Sequence, residues 1–251
     1  ILISMGVLGE KARLDCLSKG APFTYAYYDL PTADGQLSLE QMHKAVYGEW
    51  LGVHKSDFHA PCSKSFAQRA ILAAALAEGT SHLSGFSPCE DSLSAIEVAR
   101  SLGAKITRHS GHVKIEGIGV KAPESLNIKE LNVGQSGLLA RLCIPLSAAL
   151  SQCDTIITGR GTLLNRSLTG ANDIMAAFGI LLKNEDDHKG TQVYIPLKVK
   201  GKFYPGRAEI SGNAGSQLIS GLLMTLPLFS ANSQLFVSEP KSIPYMFITQ
   251  D

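Results

Sequence analysis

Three stretches of this 251-residue chain open with the same small, polar residues and continue as apolar helical runs. They span residues 62–76, 134–150 and 212–226, and each begins among Ser, Gly, Asn, Gln and Lys. Each is apolar nearly all round, which predicts a buried helix. Ser65, Ser136 and Ser216 recur at similar intervals along the chain. Repetition on this scale constrains the fold strongly, because one copy cannot bury its apolar face alone and must stack on others of its kind. Between the first two runs the pattern predicts a strand at 81–86, a helix at 92–102 closed by Gly103, and a hairpin at 105–119. The second copy repeats the order, with a strand at 155–158, a helix at 169–182 and a strand at 192–199. The third reaches a strand at 234–237 and stops where its second helix should begin. The expected class is α/β, with roughly two and a half copies of a β-α-β-α-β-β unit.

Residues 1–53 have another character. They read as a strand at 1–5, a helix at 10–17 and a strand at 23–28. After a loop marked by Pro31 and Asp34-Gly35, Ser38 caps a helix that lines Leu39, Met42, Val46 and Trp50 on one face. This β-α-β-α run is the unit of a parallel sheet or barrel, too short here to close one. A polar junction follows, and we place the boundary near His54, giving domains 1–53 and 54–251. The chain opens on Ile1 inside an apolar run and stops as abruptly at Asp251, so a segment cut at both ends is expected.

Composition removes several function classes. Lys and Arg number 23 against 22 Asp and Glu, and a net charge of +1 provides no broad field for nucleic acid or an anionic membrane. No run approaches the ~18 apolar residues of a membrane-spanning helix. Five cysteines (Cys16, Cys62, Cys89, Cys143, Cys153) are an odd number without a C-x-x-C pair. That points to reduced thiols, a cytoplasmic location and no zinc site.

The helix starts carry the chemistry. A buried helix presents unpaired N–H groups and the positive end of its dipole at its first turn, and small residues there let an anion approach the backbone. Three such ends converging would bind phosphate or carboxylate. Lys64 adds a point charge, and Arg69 adds a planar fork one turn into the first helix. Buried among Ala, Ile and Leu, Arg69 is costly unless it pairs with an anion. Ordinary helix capping is the alternative for any one of these starts.

At Pro61-Cys-Ser-Lys-Ser-Phe-Ala-Gln-Arg69 the sequence resembles the P-x-S-K-S-x-x-x-R signature of the 5-enolpyruvylshikimate-3-phosphate synthase family. Gly134-Gln-Ser-Gly137 resembles that family's second motif, Gly215-Ser-Gln217 its third, and Ser242-Ile-Pro-Tyr245 its S-K-P-Y element. The resemblance implies the enolpyruvyl transferase fold, an inside-out α/β barrel of three repeats in each of two domains. Of these, the chain would carry the first, with the C-terminal synthase domain missing in cis. It implies transfer of the enolpyruvyl group of phosphoenolpyruvate to the 5-hydroxyl of shikimate 3-phosphate, with no metal or organic cofactor. By motif, Lys64 would touch both substrates and serve catalysis. Ser65, Arg69, Ser216, Gln217, Ser242 and Tyr245 would hold shikimate 3-phosphate, with Ser216 and Ser242 near its phosphate. Gly137 would face phosphoenolpyruvate through its backbone, and Asp91 matches an acidic position.

The sequence also departs from the pattern. Leu138 replaces the Thr after the second-motif Gly, Gly215 replaces the first Ser of the third motif, and Thr162 falls where the family carries an Arg for phosphoenolpyruvate. Arg160 or Arg166 is left to take over that charge.

Residues 1–53 resemble the C-terminal end of a type I 3-dehydroquinate dehydratase, through Ile3-Ser-Met-Gly6, the strand at 23–26 and Thr32-Ala-Asp-Gly-Gln36. By that match Arg13, Thr32 and Gln36 would contact the dehydroquinate carboxylate and hydroxyls. Its Schiff-base Lys and catalytic His would lie upstream of Ile1. Two rivals remain. One is a sugar-nucleotide enolpyruvyl transferase, disfavoured by Ser65 and Arg69. The other is a non-catalytic or partner-dependent ligand-binding fragment.

Overall fold

A computed structural model of the chain describes residues 62–119, 124–185, 192–212 and 215–250. The chain divides into two units, Ile1–Pro61 and Cys62–Asp251, and every described residue belongs to the second. The elements expected within 1–53, with Arg13, Thr32 and Gln36, lie outside the described residues.

The first copy of the repeat runs α1 (Lys64–Leu76), β1 (Thr80–Ser84), α2 (Glu90–Ser101), β2 (Lys105–His109) and β3 (His112–Glu116). The second runs β4 (Glu130–Asn132), α3 (Gly137–Leu150), β5 (Thr155–Thr158), α4 (Ala171–Ala176), β6 (Ile180–Asn184) and β7 (Leu197–Gly201). The third runs β8 (Arg207–Ser211), α5 (Ser216–Thr225), β9 (Gln234–Ser238) and α6 (Ile243–Gln250). The first two copies order their strands alike, β1-β3-β2 and β5-β7-β6, with every neighbouring pair antiparallel. β4 and β8 add a parallel neighbour to β5 and β9. The repeat inferred from the sequence is therefore present in the hydrogen-bonded register as well.

Helix α3 is the centre of the core. Leu139, Leu142 and Ile144 are wholly buried, and each contributes about 1.5–3 kcal/mol of apolar burial. It packs against α5, where Gly221 permits a close crossing. A Cβ at Gly221 would lie 2.6 Å from the carbonyl oxygen of Arg141 and 2.7 Å from Pro145. Pro145 sits inside α3 and brings no N–H to that carbonyl, so the bare Gly221 backbone covers an oxygen that has lost its usual helical donor. Among the described residues no helix is long and apolar enough to cross a membrane.

Several expectations need correction. The helix expected at 169–182 ends at Ala176, and Ile180–Asn184 is a strand paired with β7. Gly179, at φ +79°, makes the turn between them in a conformation that L side chains avoid. The strand expected at 192–199 begins later, at Leu197. The serine register also shifts. The caps are Ser63 and Ser136, each accepting a backbone N–H three residues on, while α5 is capped by Gly215 without a side chain. Burial on all sides holds for α3 but not for α1, whose Phe66 is 57% exposed.

Candidate active site

The starts of α1, α3 and α5 meet at one polar cleft of about 610 Å³. Lys64, Ser65, Gly137 and Gln217 line it, as do Leu138, Thr162 and Arg166. Local chemistry sets this arrangement. Ser63 and Ser136 cap their helices, and the residues after each cap are held with their N–H groups at the cleft.

The two helix starts are locked by a buried glutamine. Ser136 Oγ donates to Gln68 Oε1 at 2.6 Å and accepts from the N–H of Leu139 at 3.1 Å. Gln68 Nε2 donates to the Lys64 carbonyl at 3.0 Å. Neither Gln68 nor Arg141 was singled out by the sequence reasoning. Arg141 Nη1 bonds the carbonyl of Gly137 at 3.0 Å, the same four-residue reach by which Arg69 Nη1 bonds the carbonyl of Ser65. That shared spacing, one turn into each repeated helix, was the available signal.

Charge in the cleft is unevenly compensated. Lys64 Nζ lies 2.8 Å from Asp91, whose hydrogen bond and then whose charge raise the lysine's pKa above its ordinary value. Glu90 is held on both oxygens, by Arg160 at 3.5 Å and by Gln135 Nε2 at 3.0 Å. Arg141 and Arg166 have no ion pair among the described residues. Desolvation, and then the neighbouring charge of Arg166, push the Arg141 pKa down.

Arg69 sits elsewhere than expected. It is 4% exposed and does not line the cleft. Its guanidinium donates to Thr249 Oγ1 at 2.8 Å, Ser220 Oγ at 2.9 Å and the Ser65 carbonyl at 3.0 Å, and lies 5.5 Å over the Tyr245 ring. Neutral groups and a ring face offset its burial, where the sequence suggested an anion. Ser216 is buried at the first position of α5, and Ser242 is exposed at φ +54° just before α6; neither lines the cleft.

Three helix starts of a repeated α/β fold and a cluster of cations meet at one cleft, and the fold is that of the enolpyruvyl transferases. The model of the family "EPSP synthase (3-phosphoshikimate 1-carboxyvinyltransferase)" matches residues 54–251, and the chain belongs to that family. It is 33% identical over 196 residues to a 3-phosphoshikimate 1-carboxyvinyltransferase of Clostridium beijerinckii, covering 75% of this chain and 43% of that protein. The same identity holds over 193 residues with its counterpart in Methanobrevibacter smithii, over 76% of this chain and 43% of that protein. Among solved structures, EPSP synthase from Acinetobacter baumannii aligns with a TM-score of 0.62 at 26% identity, over 74% of this chain and 41% of that one. The chain thus spans less than half the length of the curated relatives it matches, 43% of the first.

Proposed function

We propose that this chain contributes the first-domain half of a site that transfers the enolpyruvyl group of phosphoenolpyruvate to the 5-hydroxyl of shikimate 3-phosphate. The observation that carries the reading is the convergence of Lys64, Gly137 and Gln217, from three repeated helix starts, on one cleft. In this reading Lys64 touches both substrates and the backbone of Gly137 faces phosphoenolpyruvate. Ser65 and Gln217 hold shikimate 3-phosphate from the cleft lining, and Arg69, Ser216, Ser242 and Tyr245, assigned to it by motif, would reach it from outside that lining. The arrangement supports binding more than turnover. Both carboxylates that line the cleft, Glu90 and Asp91, are already paired with cations. An acid or base must reach the reacting proton and be poised to move it. The chain alone is therefore expected to bind and to turn over little or nothing.

The test is a calorimetric titration of the folded chain with shikimate 3-phosphate, wild type against Lys64→Ala. Saturable heat that is lost in the variant supports the reading. Absence of heat from a folded chain, or measurable phosphate release by it, overturns the half-site assignment. We further propose that residues 1–53 are the dehydroquinase-like remnant. What supports this is the resemblance carried by Ile3-Ser-Met-Gly6 and Thr32-Ala-Asp-Gly-Gln36. Dehydroquinate binding that Arg13→Ala abolishes would be its signature, and a wild-type chain that binds none refutes it.

A further inference from the structure

His109 and His112 stand three apart in the sequence and meet across a tight turn. Ser110 and Gly111 form that turn, and Gly111 takes it at φ +70°, a conformation open to glycine. β2 and β3 are antiparallel neighbours, and His109 is the register partner of His112. Partners across a ladder share one face of the sheet, with Cβ atoms about 4.5–5.5 Å apart. Val113 and Ile115 are buried and fix the inner face, so both imidazoles belong to the outer one, where both residues are exposed. The tip is held in place, because the Gly111 carbonyl accepts the N–H of buried Phe86 at 2.9 Å. Lys114, next along the outer face, is bonded to Glu116 at 2.8 Å and so drawn away from the turn. Among the described residues neither imidazole has a hydrogen bond or ion pair.

We propose that His109 and His112 form a bidentate site for a late first-row divalent ion, Cu²⁺ or Ni²⁺. Imidazole nitrogens suit these ions, and the tetragonal geometry they adopt can be completed by water. Rings carried on Cβ atoms about 5 Å apart can close on one ion at nitrogen–metal distances of about 2 Å. Among the described residues no three His, Cys, Asp or Glu side chains come together around an ion, so the site is a two-ligand chelate. Neither histidine lines the cleft, and the ion has no part in the transfer proposed above.

The experiment is a calorimetric titration of the full 251-residue chain with Ni²⁺ and with Cu²⁺. It compares wild type with His109→Ala, His112→Ala, the double variant and His82→Ala. All three side chains are exposed, so their removal should leave the fold intact. His82 is the control, since it lies on β1 opposite Lys114 and not opposite either histidine. Loss of one arm of a chelate should weaken Ni²⁺ by about tenfold or more, alike in the two single variants. Cu²⁺ should bind more tightly than Ni²⁺, and His82→Ala should bind like wild type. Ni²⁺ affinity that survives in the double variant places the ion elsewhere and overturns the site. A folded wild-type chain that takes up no Ni²⁺ does the same, and an equal loss in His82→Ala overturns the two-ligand assignment.

Discussion

Replacing Ser136 by Ala should destabilise the second unit of the chain by about 2–4 kcal/mol. Two losses add. The hydroxyl caps α3 by accepting the N–H of Leu139, and such a cap contributes about 1 kcal/mol. It also supplies the donor to Gln68 Oε1, at 2.6 Å between residues only 2% and 1% exposed. Stranding that buried acceptor costs about 1–3 kcal/mol. For a unit of this size the sum corresponds to a fall in Tm of about 5–15 °C. The assay is thermal or urea unfolding of the wild type, Ser136→Ala, Gln68→Leu and the double variant. Once Ser136 is gone, Gln68→Leu removes an acceptor that has already lost its partner. The double variant should therefore fall short of the summed single costs by about 1 kcal/mol or more. A cost below about 0.5 kcal/mol for Ser136→Ala, or strict additivity, would refute the idea that this pair locks the two helix starts.

Gly221→Ala should cost about 3 kcal/mol or prevent folding, since its Cβ would meet the Arg141 carbonyl at 2.6 Å and α3 would have to move off α5; a Tm within about 2 °C of wild type would contradict that crossing. The Lys64–Asp91 pair raises the lysine's pKa from its ordinary 10.5. Its stabilisation is therefore fully present below that value and lost as pH rises through the raised one. Stability of the wild type minus that of Asp91→Asn should stay flat through neutral pH and shrink only in the alkaline range above 10.5. A difference that vanishes near pH 7 instead would mean that another group titrates there.

The helix starts were legible because capping is local. Small polar residues around 63, 136 and 215 announce a first turn whatever packs above it, without saying which of them is the cap. The alternation of apolar helices with β-rich stretches conveyed the repeat for the same reason. The run Ile180–Asn184 did not announce itself. Apolar residues following a short helix look like its continuation, and only pairing with Leu197–Gly201 makes them a strand. The shift of the caps to Ser63 and Gly215 was equally hidden, since three serines at similar spacing suggest a shared role that their backbone positions do not share. Of the site, Lys64, Ser65, Gly137 and Gln217 were readable from motif and placed at the cleft. The contacts of Arg69 were hidden because its neutral partners, Thr249 and Ser220, lie far along the chain. Gln68 went unnoticed because its partner Ser136 lies on another copy of the repeat, and Arg141 because its only mark is the spacing it shares with Arg69.

The contacts of Arg69 have a consequence for how the chain is made. Its guanidinium finds Ser220 at a separation of 151 residues and Thr249 at 180. Contacts so distant in sequence form late, and during synthesis they await residues not yet translated. Helix α1 leaves the ribosome with a cation on the face it will bury, and of its partners only the Ser65 carbonyl is then within reach. The antiparallel strand pairings within the first two copies are local by comparison. The opening helix stays unfinished until α6 emerges and fastens onto it, so the final residues of this unit act as the clasp for its first.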